Sequence, residues 1–233
     1  MIISRTPFRI SFVGGGSDLK NFYSSQPGRV LSTTINKYMY IYSHRFFDEQ
    51  RLRVKYSRTE TVASADYLKH PILREVLRKF GIKTGLEISS NADIPAGTGL
   101  GSSSTFTVGL LQNMYTRVGK YASKELLAEE ACDIEINRLG EPIGKQDQYA
   151  ASFGGLNVFT FRPSGQVDVE PIHLEVEVYK KLQRNLLMFY TGIARSASTI
   201  LAEQMEDVPS DIVRRIVCDN AVEMYGFPSD IVE

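Results

Sequence analysis

Residues 95–104 read PAGTGLGSSS, and the stretch TFTVGLLQNMYTRVG (105–119) follows at once. Gly97, Gly99 and Gly101 admit positive-φ backbone and let a ligand approach the main chain. The serines Ser102, Ser103 and Ser104 are placed to cap a helix apolar enough to be buried, and the first amides of that helix are unpaired and point back at the loop. Such amides, together with the helix dipole, hold anions. The segment from Pro95 through Leu100 to Ser104 is therefore either a polyphosphate cradle, with hydroxyls in reach of a phosphate or its Mg²⁺, or a plain connection. It is not a Walker A loop, since no GK[ST] follows, nor the glycine fingerprint that follows the first strand of a Rossmann unit.

Outward from this loop the pattern alternates between strand and helix signals without the regular β-α order of a doubly wound sheet, which predicts an α+β chain. Upstream, MIISRTPFRISFV (1–13), INKYMYIYSHRFF (35–47) and RLRVKYS (51–57) read as strands. Ile72, Leu73, Val76, Leu77 and Phe80 share one helical face that Gly81 ends, and GLEISS (85–90) is a further strand. Downstream, Ser123 caps KELLAEEACDIEINRLG (124–140), with Glu125 in the first turn and Gly140 as the stop. GGLNVFTF (154–161), QVDVEPIHL (166–174) and NLLMFYTG (185–192) return to strands. From Glu206 the character changes, with two PSDIV segments flanking one short helix, and this stretch reads as a terminal tail.

Composition narrows the function classes. The 233 residues are 42% hydrophobic, enough for one large domain or two small ones, and the 27 basic and 27 acidic residues cancel. Zero net charge without a basic stripe argues against a nucleic-acid partner, and any phosphate chemistry must come from a local site. Cys132 and Cys218 lie far apart in apolar contexts with no metal-ligand spacing, as reduced core thiols do. The chain has no run of about 20 apolar residues and no secretory h-region at its N-terminus, so a cytoplasmic protein with no membrane partner is expected.

Three further places carry candidate chemistry. Helical spacing puts Glu135 on an apolar face with Ala128, Ala131, Cys132 and Leu139, where a charge needs a partner: an arginine such as Arg138, or a metal ion. In GEPIGKQDQYAASFGG (140–155), Gly140, Pro142 and Gly144 deliver Lys145 and Asp147 on a tight loop, either as a solvated turn or as a general base beside its cation. In PFRISFVGGGSDL (7–19), Arg9 emerges from a strand and Gly14, Gly15 and Gly16 precede Ser17 and Asp18. That run marks a bulge or hairpin, or else a seat for a ligand whose hydroxyls Asp18 would accept.

In this order, PFRISFVGGGSD, PAGTGLGSSS and GKQDQYAASFGG resemble the first motif, the phosphate-binding motif and the catalytic-aspartate segment of the GHMP small-molecule kinases. Within that family, RISFVGGGSDL, IPAGTGLGSSS, PIGKQDQYAASFGGLNVF and FYTGIARSAS are most similar to the branch that phosphorylates D-glycero-D-manno-heptose 7-phosphate at the anomeric position. The likeness runs over about residues 1–205. It implies a ribosomal-protein-S5-like first lobe (1–175) and the start of a ferredoxin-like second lobe (176–205), with the divergent tail at 206–233. It also implies ATP and Mg²⁺ as cofactors and a sugar phosphate as substrate. Pro95, Gly97, Gly99, Leu100, Gly101, Ser102, Ser103 and Ser104 would then wrap the ATP phosphates, while Ser103 and Glu135 would hold Mg²⁺. Asp147 would take the proton of the acceptor hydroxyl, with Arg9 and Lys145 holding its charge. Gly15, Gly16, Ser17 and Asp18 would meet the sugar, with Lys20 or Arg29 nearby for its phosphate.

The family's third motif, a glycine-rich loop late in the second lobe, has no counterpart in these residues. That departure implies an incomplete second lobe, apolar surface around Leu186–Ile200 open to self-association, and a rival reading as a catalytically weak nucleotide- or sugar-phosphate-binding remnant.

Overall fold

The computed structural model describes residues 1–190 together with Gly192. Alternation over the first residues becomes strand β1 (Ile2–Val13), with Ser4, Thr6 and Phe8 turned inward while Ile3 and Arg5 are exposed. The glycine turn after it and the short helix α1 (Lys20–Tyr23) lead into β2 (Gly28–Arg45). This strand starts seven residues before the aromatic run that signalled it, because its first half is written in Val30, Ser32 and the threonines rather than in large apolar side chains. β1 pairs antiparallel along one edge of β2.

The pairing is interrupted at one place that matters for the site. Between Pro7↔Tyr38 and Arg9↔Thr34, β2 runs four residues for two of β1. A bulge of this kind bends the ladder and re-aims the side chain beside it, and here that side chain is Arg9.

Strands β3 (Leu52–Lys55) and β4 (Thr59–Val62) form a hairpin, and helix α2 (Pro71–Lys79) follows. Proline opens α2, the His70 side chain caps it at the Leu73 amide, and Gly81 at φ +66° ends it. β5 (Leu86–Ala92) then runs parallel to β3 and antiparallel to the second half of β2. After the glycine loop come the long helix α3 (Ser102–Arg117) and α4 (Lys124–Cys132), which Ser123 caps at the Leu126 amide. A π-helical turn over Asp133–Arg138 continues α4, and α5 (Gln146–Phe153) precedes β6 (Leu156–Phe161) and β7 (Val167–Pro171). Seven strands make one mixed sheet in the order β4-β3-β5-β2-β6-β7, with β1 added to β2.

The core lies between this sheet and the helices. Phe8, Ile41, Leu52, Val54, Leu86 and Ile88 from the strands pack with Leu73, Val76 and Leu77 of α2 and Leu110, Leu111 and Met114 of α3. Burying one such side chain stabilises by about 1.5–3 kcal/mol. A second cluster under β6 joins Val30, Phe159 and Phe161 to Tyr23, Ala128, Cys132 and Tyr149, and so fastens α5 to the sheet. α3 lies unusually close to β1. A Cβ on Gly109 would meet Thr6 Oγ1 at 2.6 Å, and Ser4 Oγ donates to the Gly109 carbonyl.

Three expectations change here. Asp147 is not on a loop: it sits in the first turn of α5. The serines 102–104 are not caps, because Gly101, in left-handed conformation, is the N-cap of α3 and the serines are its first three residues. Leu186–Tyr190 form no strand; the chain reaches them through helix α6 (Val176–Arg184), and Leu187 and Phe189 are each 80% exposed. The tail, Cys218 and the segment 193–205 lie outside the described residues.

Candidate active site

The glycine loop is built from three residues in nearly one conformation: Gly97, Gly99 and Gly101 have φ of 77°, 75° and 75°. An L side chain resists this backbone, and successive turned amides ahead of a helix N-terminus make an anion-binding concavity. Thr98 ties the loop back on itself by donating to the Pro95 carbonyl.

Arg9 joins this loop to α5. Its Nη1 donates to the Gly99 carbonyl at 2.7 Å, and its Nε and Nη2 reach Asp147 Oδ1 at 2.7 and 2.6 Å. A Cβ on Gly101 would stand 3.1 Å from Asp147 Oδ2, so the second carboxylate oxygen faces the helix start where the loop ends. Arg9, the loop and Asp147 thus share one corner of the molecule. The structure does not bring Lys145 to it. Lys145 precedes α5, donates to the Gly165 carbonyl at 2.6 Å and lies 5.2 Å from the Tyr23 ring centroid.

Glu135 is 0% exposed and lies in the π-helical turn rather than in a regular α-helix. Ser103 Oγ donates to its Oε1 at 2.6 Å and Gln148 Nε2 to its Oε2 at 2.8 Å. Arg138 is not its partner; that guanidinium pairs with Asp133 at 2.7 Å. Burial pushes the Glu135 carboxyl up to about 7, against the pull of the Ser103, Gln148 and Ser104 side chains. A buried carboxylate held only by neutral donors suits a cation, and the Ser103 hydroxyl beside it adds a second hard oxygen. Among the described residues no group of three or more His, Cys, Asp or Glu gathers to hold a metal alone. The donor set therefore fits a divalent ion that arrives with phosphate oxygens of its own.

The turn Gly14–Asp18 faces inward more than the sequence suggests. Ser17 is fully buried and its hydroxyl donates to the Gly14 and Arg29 carbonyls. Asp18, 3% exposed, accepts from the Gly16 and Gln146 amides and from Gln146 Nε2, and burial pushes its carboxyl up to about 6. Of the four residues expected to meet a sugar, Gly15 is exposed and Gly16 half-buried, whereas Ser17 and Asp18 are closed off. Gln146 and Gln148 had no place in the sequence reading, yet they flank Asp147 and bind Asp18 and Glu135. No pattern marked them, since in the sequence they alternate with the charged Lys145 and Asp147.

Comparison with known proteins adds an independent line. Residues 66–155 match the profile of the GHMP kinases N terminal domain. The D-glycero-alpha-D-manno-heptose 7-phosphate kinase of Campylobacter jejuni is 27% identical over 213 residues, covering 85% of this chain and 62% of that protein. The galactokinase of Pyrococcus furiosus is 30% identical over 212 residues, 87% of this chain and 57% of its own length. Among solved structures, a D-glycero-D-manno-heptose 1-phosphate kinase from Bacteroides thetaiotaomicron aligns at a TM-score of 0.72 and 28% identity, covering 78% of this chain and 63% of that one. The mevalonate kinase of Methanococcus jannaschii, at 15% identity and TM-score 0.65 over 95% of this chain and 72% of its own, shares the fold. The chain thus spans about three fifths of the length of the two curated relatives.

Proposed function

We propose, for a chain that carries a GHMP kinase N-terminal domain, that it transfers the γ-phosphoryl group of ATP to a sugar hydroxyl, with D-glycero-D-manno-heptose 7-phosphate as acceptor at its anomeric position. The observation that carries this reading is the contact of Arg9 with both Asp147 and the Gly99 carbonyl, which sets a carboxylate beside a phosphate cradle. The likeness to the Campylobacter and Bacteroides proteins supports the choice of a heptose.

Phosphoryl transfer asks for positioning and charge neutralisation more than for covalent help. The loop amides bind the β and γ phosphates, and the glycines let the backbone come close enough. Asp147 Oδ2, turned to Gly101, orients the acceptor hydroxyl and takes its proton as the bond to phosphorus forms. Arg9 fixes the other carboxylate oxygen and places positive charge where the phosphoryl group passes. Ser103 and Glu135 would hold Mg²⁺, which supplies further charge neutralisation on the phosphates. Gly15 and Gly16, exposed or half-buried at the end of β1, offer main chain rather than side chain to the sugar.

The test is ADP release by the full chain with ATP, Mg²⁺ and a panel of heptose 7-phosphate, galactose and mevalonate, run beside a nucleotide-binding titration. Turnover is expected with heptose 7-phosphate, and the product should carry its new phosphate on the anomeric carbon. Turnover of the unphosphorylated sugar at an equal rate would remove the phosphate from the specificity. Tight ATP binding without turnover of any acceptor would replace the kinase by a nucleotide-binding remnant.

A further inference from the structure

Gln148 follows Asp147 in the first turn of α5 and is 0% exposed. Its side-chain amide is used on one side only. Nε2 donates to Glu135 Oε2 at 2.8 Å, while Oε1 finds no hydrogen-bond partner among the described residues. A buried acceptor left unpaired is costly. Turning the amide over would set its oxygen against the Glu135 carboxylate, so the orphaned Oε1 is the consequence of donating to that carboxylate. An apolar side chain of similar volume would avoid the cost, and the apolar Ala150 and Ala151 are buried on the same helix.

This tie closes a ring of contacts around the glycine loop. Arg9 runs from the Gly99 carbonyl to Asp147; the next residue, Gln148, runs to Glu135; and Glu135 accepts from Ser103, which lies in the first turn of α3, two residues past Gly101. Asp147 and Gln148 reach different partners because successive side chains on a helix point about 100° apart. The two donors on Glu135 also differ in access. Ser103 is exposed, whereas Gln148 and Glu135 are fully buried, so an ion can come to the carboxylate from the Ser103 side while Gln148 holds it from the closed side.

We infer that Gln148 is a positioning residue for Glu135: it pins Oε2 from α5 and thereby sets the carboxylate, beside the Ser103 hydroxyl, for the divalent ion that comes with the nucleotide. A carboxylate released on that side can turn about its last torsions and lose its aim at the ion. Groups that orient a metal-binding carboxylate in this way are worth about 10-fold or more in affinity for the ion. This role rests on the kinase reading and specifies its cation site.

The test compares Gln148→Met, which keeps length and volume but removes the donor, with Glu135→Gln and with the two substitutions together. In the full chain at pH 8, ATP is titrated by calorimetry with and without Mg²⁺. Gln148→Met is expected to weaken MgATP binding about 10-fold and metal-free ATP binding by no more than about 2-fold. Equal weakening of both, or of neither, would overturn the inference. In the double variant, MgATP affinity is expected to stay within about 2-fold of that of Glu135→Gln alone, because no carboxylate is left to position. Effects that multiply instead would show Gln148 acting on the nucleotide or the fold by itself, and would overturn it as well. Should Gln148→Met not fold, Gln148→Asn, one methylene shorter and so withdrawn from Oε2, carries the same titrations. Should the unaltered protein bind ATP no more tightly with Mg²⁺ than without it, the kinase reading loses its cation at that step, before any variant is compared, and the role of Gln148 falls with it.

Discussion

Arg9 closes on Asp147 with two nitrogens at 2.7 and 2.6 Å from a single oxygen, Oδ1, and leaves Oδ2 to face Gly101. The pair is half-buried, with side-chain exposures of 12% and 24%, so it is screened less than a surface bridge and holds one orientation. One oxygen is thereby fixed, and in the proposed function the other is the one that meets the acceptor hydroxyl. The bulge that aims Arg9 and the helix that starts just before Asp147 are both needed for this arrangement.

Asp147→Asn keeps the size of the side chain and an acceptor for Arg9, but it removes the proposed base. Turnover is expected to fall about 10²-fold or more, within the range for losing a general base, while MgATP affinity measured by calorimetry stays within about 2-fold. Near-normal turnover in the folded variant would reduce Asp147 to a partner that orders Arg9.

The glycines of the loop are not equivalent. Both Gly99 and Gly101 have φ of 75°, but a Cβ on Gly99 meets nothing within 4 Å, whereas one on Gly101 meets Asp147 Oδ2 at 3.1 Å and Arg9 Cγ at 3.5 Å. Gly99→Ala should therefore weaken nucleotide binding through backbone strain alone, on the order of 1 kcal/mol or about 5-fold in affinity. Gly101→Ala should weaken it further and also reduce kcat by displacing Asp147. Equal effects of the two substitutions on kcat would contradict the contact.

Glu135→Gln tests the cation. The carboxyl is buried, held by neutral donors and pushed up to about 7, so a neutral isostere removes a desolvation cost while keeping an acceptor for Ser103. In denaturant unfolding at pH 8 without nucleotide, the variant is expected to be at least as stable as the unaltered protein. Its affinity for MgATP should drop about 10-fold or more while metal-free ATP binds nearly as before. Equal weakening of both would assign Glu135 to fastening α3 and α5 through Ser103 and Gln148.

What the sequence made legible follows from what it costs a chain to place certain residues. A loop with Gly97, Gly99 and Gly101 before a helix announces its backbone, and a carboxylate such as Glu135 on an apolar face announces a buried charge, because either is expensive without a reason. Lys145 misled for a geometric cause: helix α5 begins at Gln146, residues two apart on a helix do not face each other, and the lysine turns to the β6–β7 hairpin while Asp147 turns to Arg9. Gln146 and Gln148 stayed silent because polar amides interleaved with Lys145 and Asp147 read as further solvated turn residues, although between them they hold Asp18 and Glu135. The first half of β2 was hidden in the same way, by serine and threonine at inward positions that large apolar residues usually take.

Asp18 is buried, and desolvation raises its carboxyl from 3.8 to about 6 against the hydrogen bonds from Gln146 and Gly16. Asp147 on α5 raises it further, and Tyr23 on α1 and Cys132 at the end of α4 face the same space, with the Lys145 ammonium over the Tyr23 ring. A carboxyl raised in the folded state binds its proton more tightly there than in the unfolded chain. Its contribution to stability is therefore fully present below about pH 4 and is lost as pH rises through about 6. Asp18→Asn removes that titration. Between pH 4.5 and pH 7 the unfolding free energy of the unaltered protein, measured relative to the variant, is expected to fall by about 2 kcal/mol. Glu135 and the exposed ion pairs are common to both proteins and cancel in the difference. A difference that is flat over this interval would mean that the Gln146 and Gly16 donors offset the burial and leave Asp18 ionised already at pH 4.5, and one that rises with pH would mean that they outweigh it.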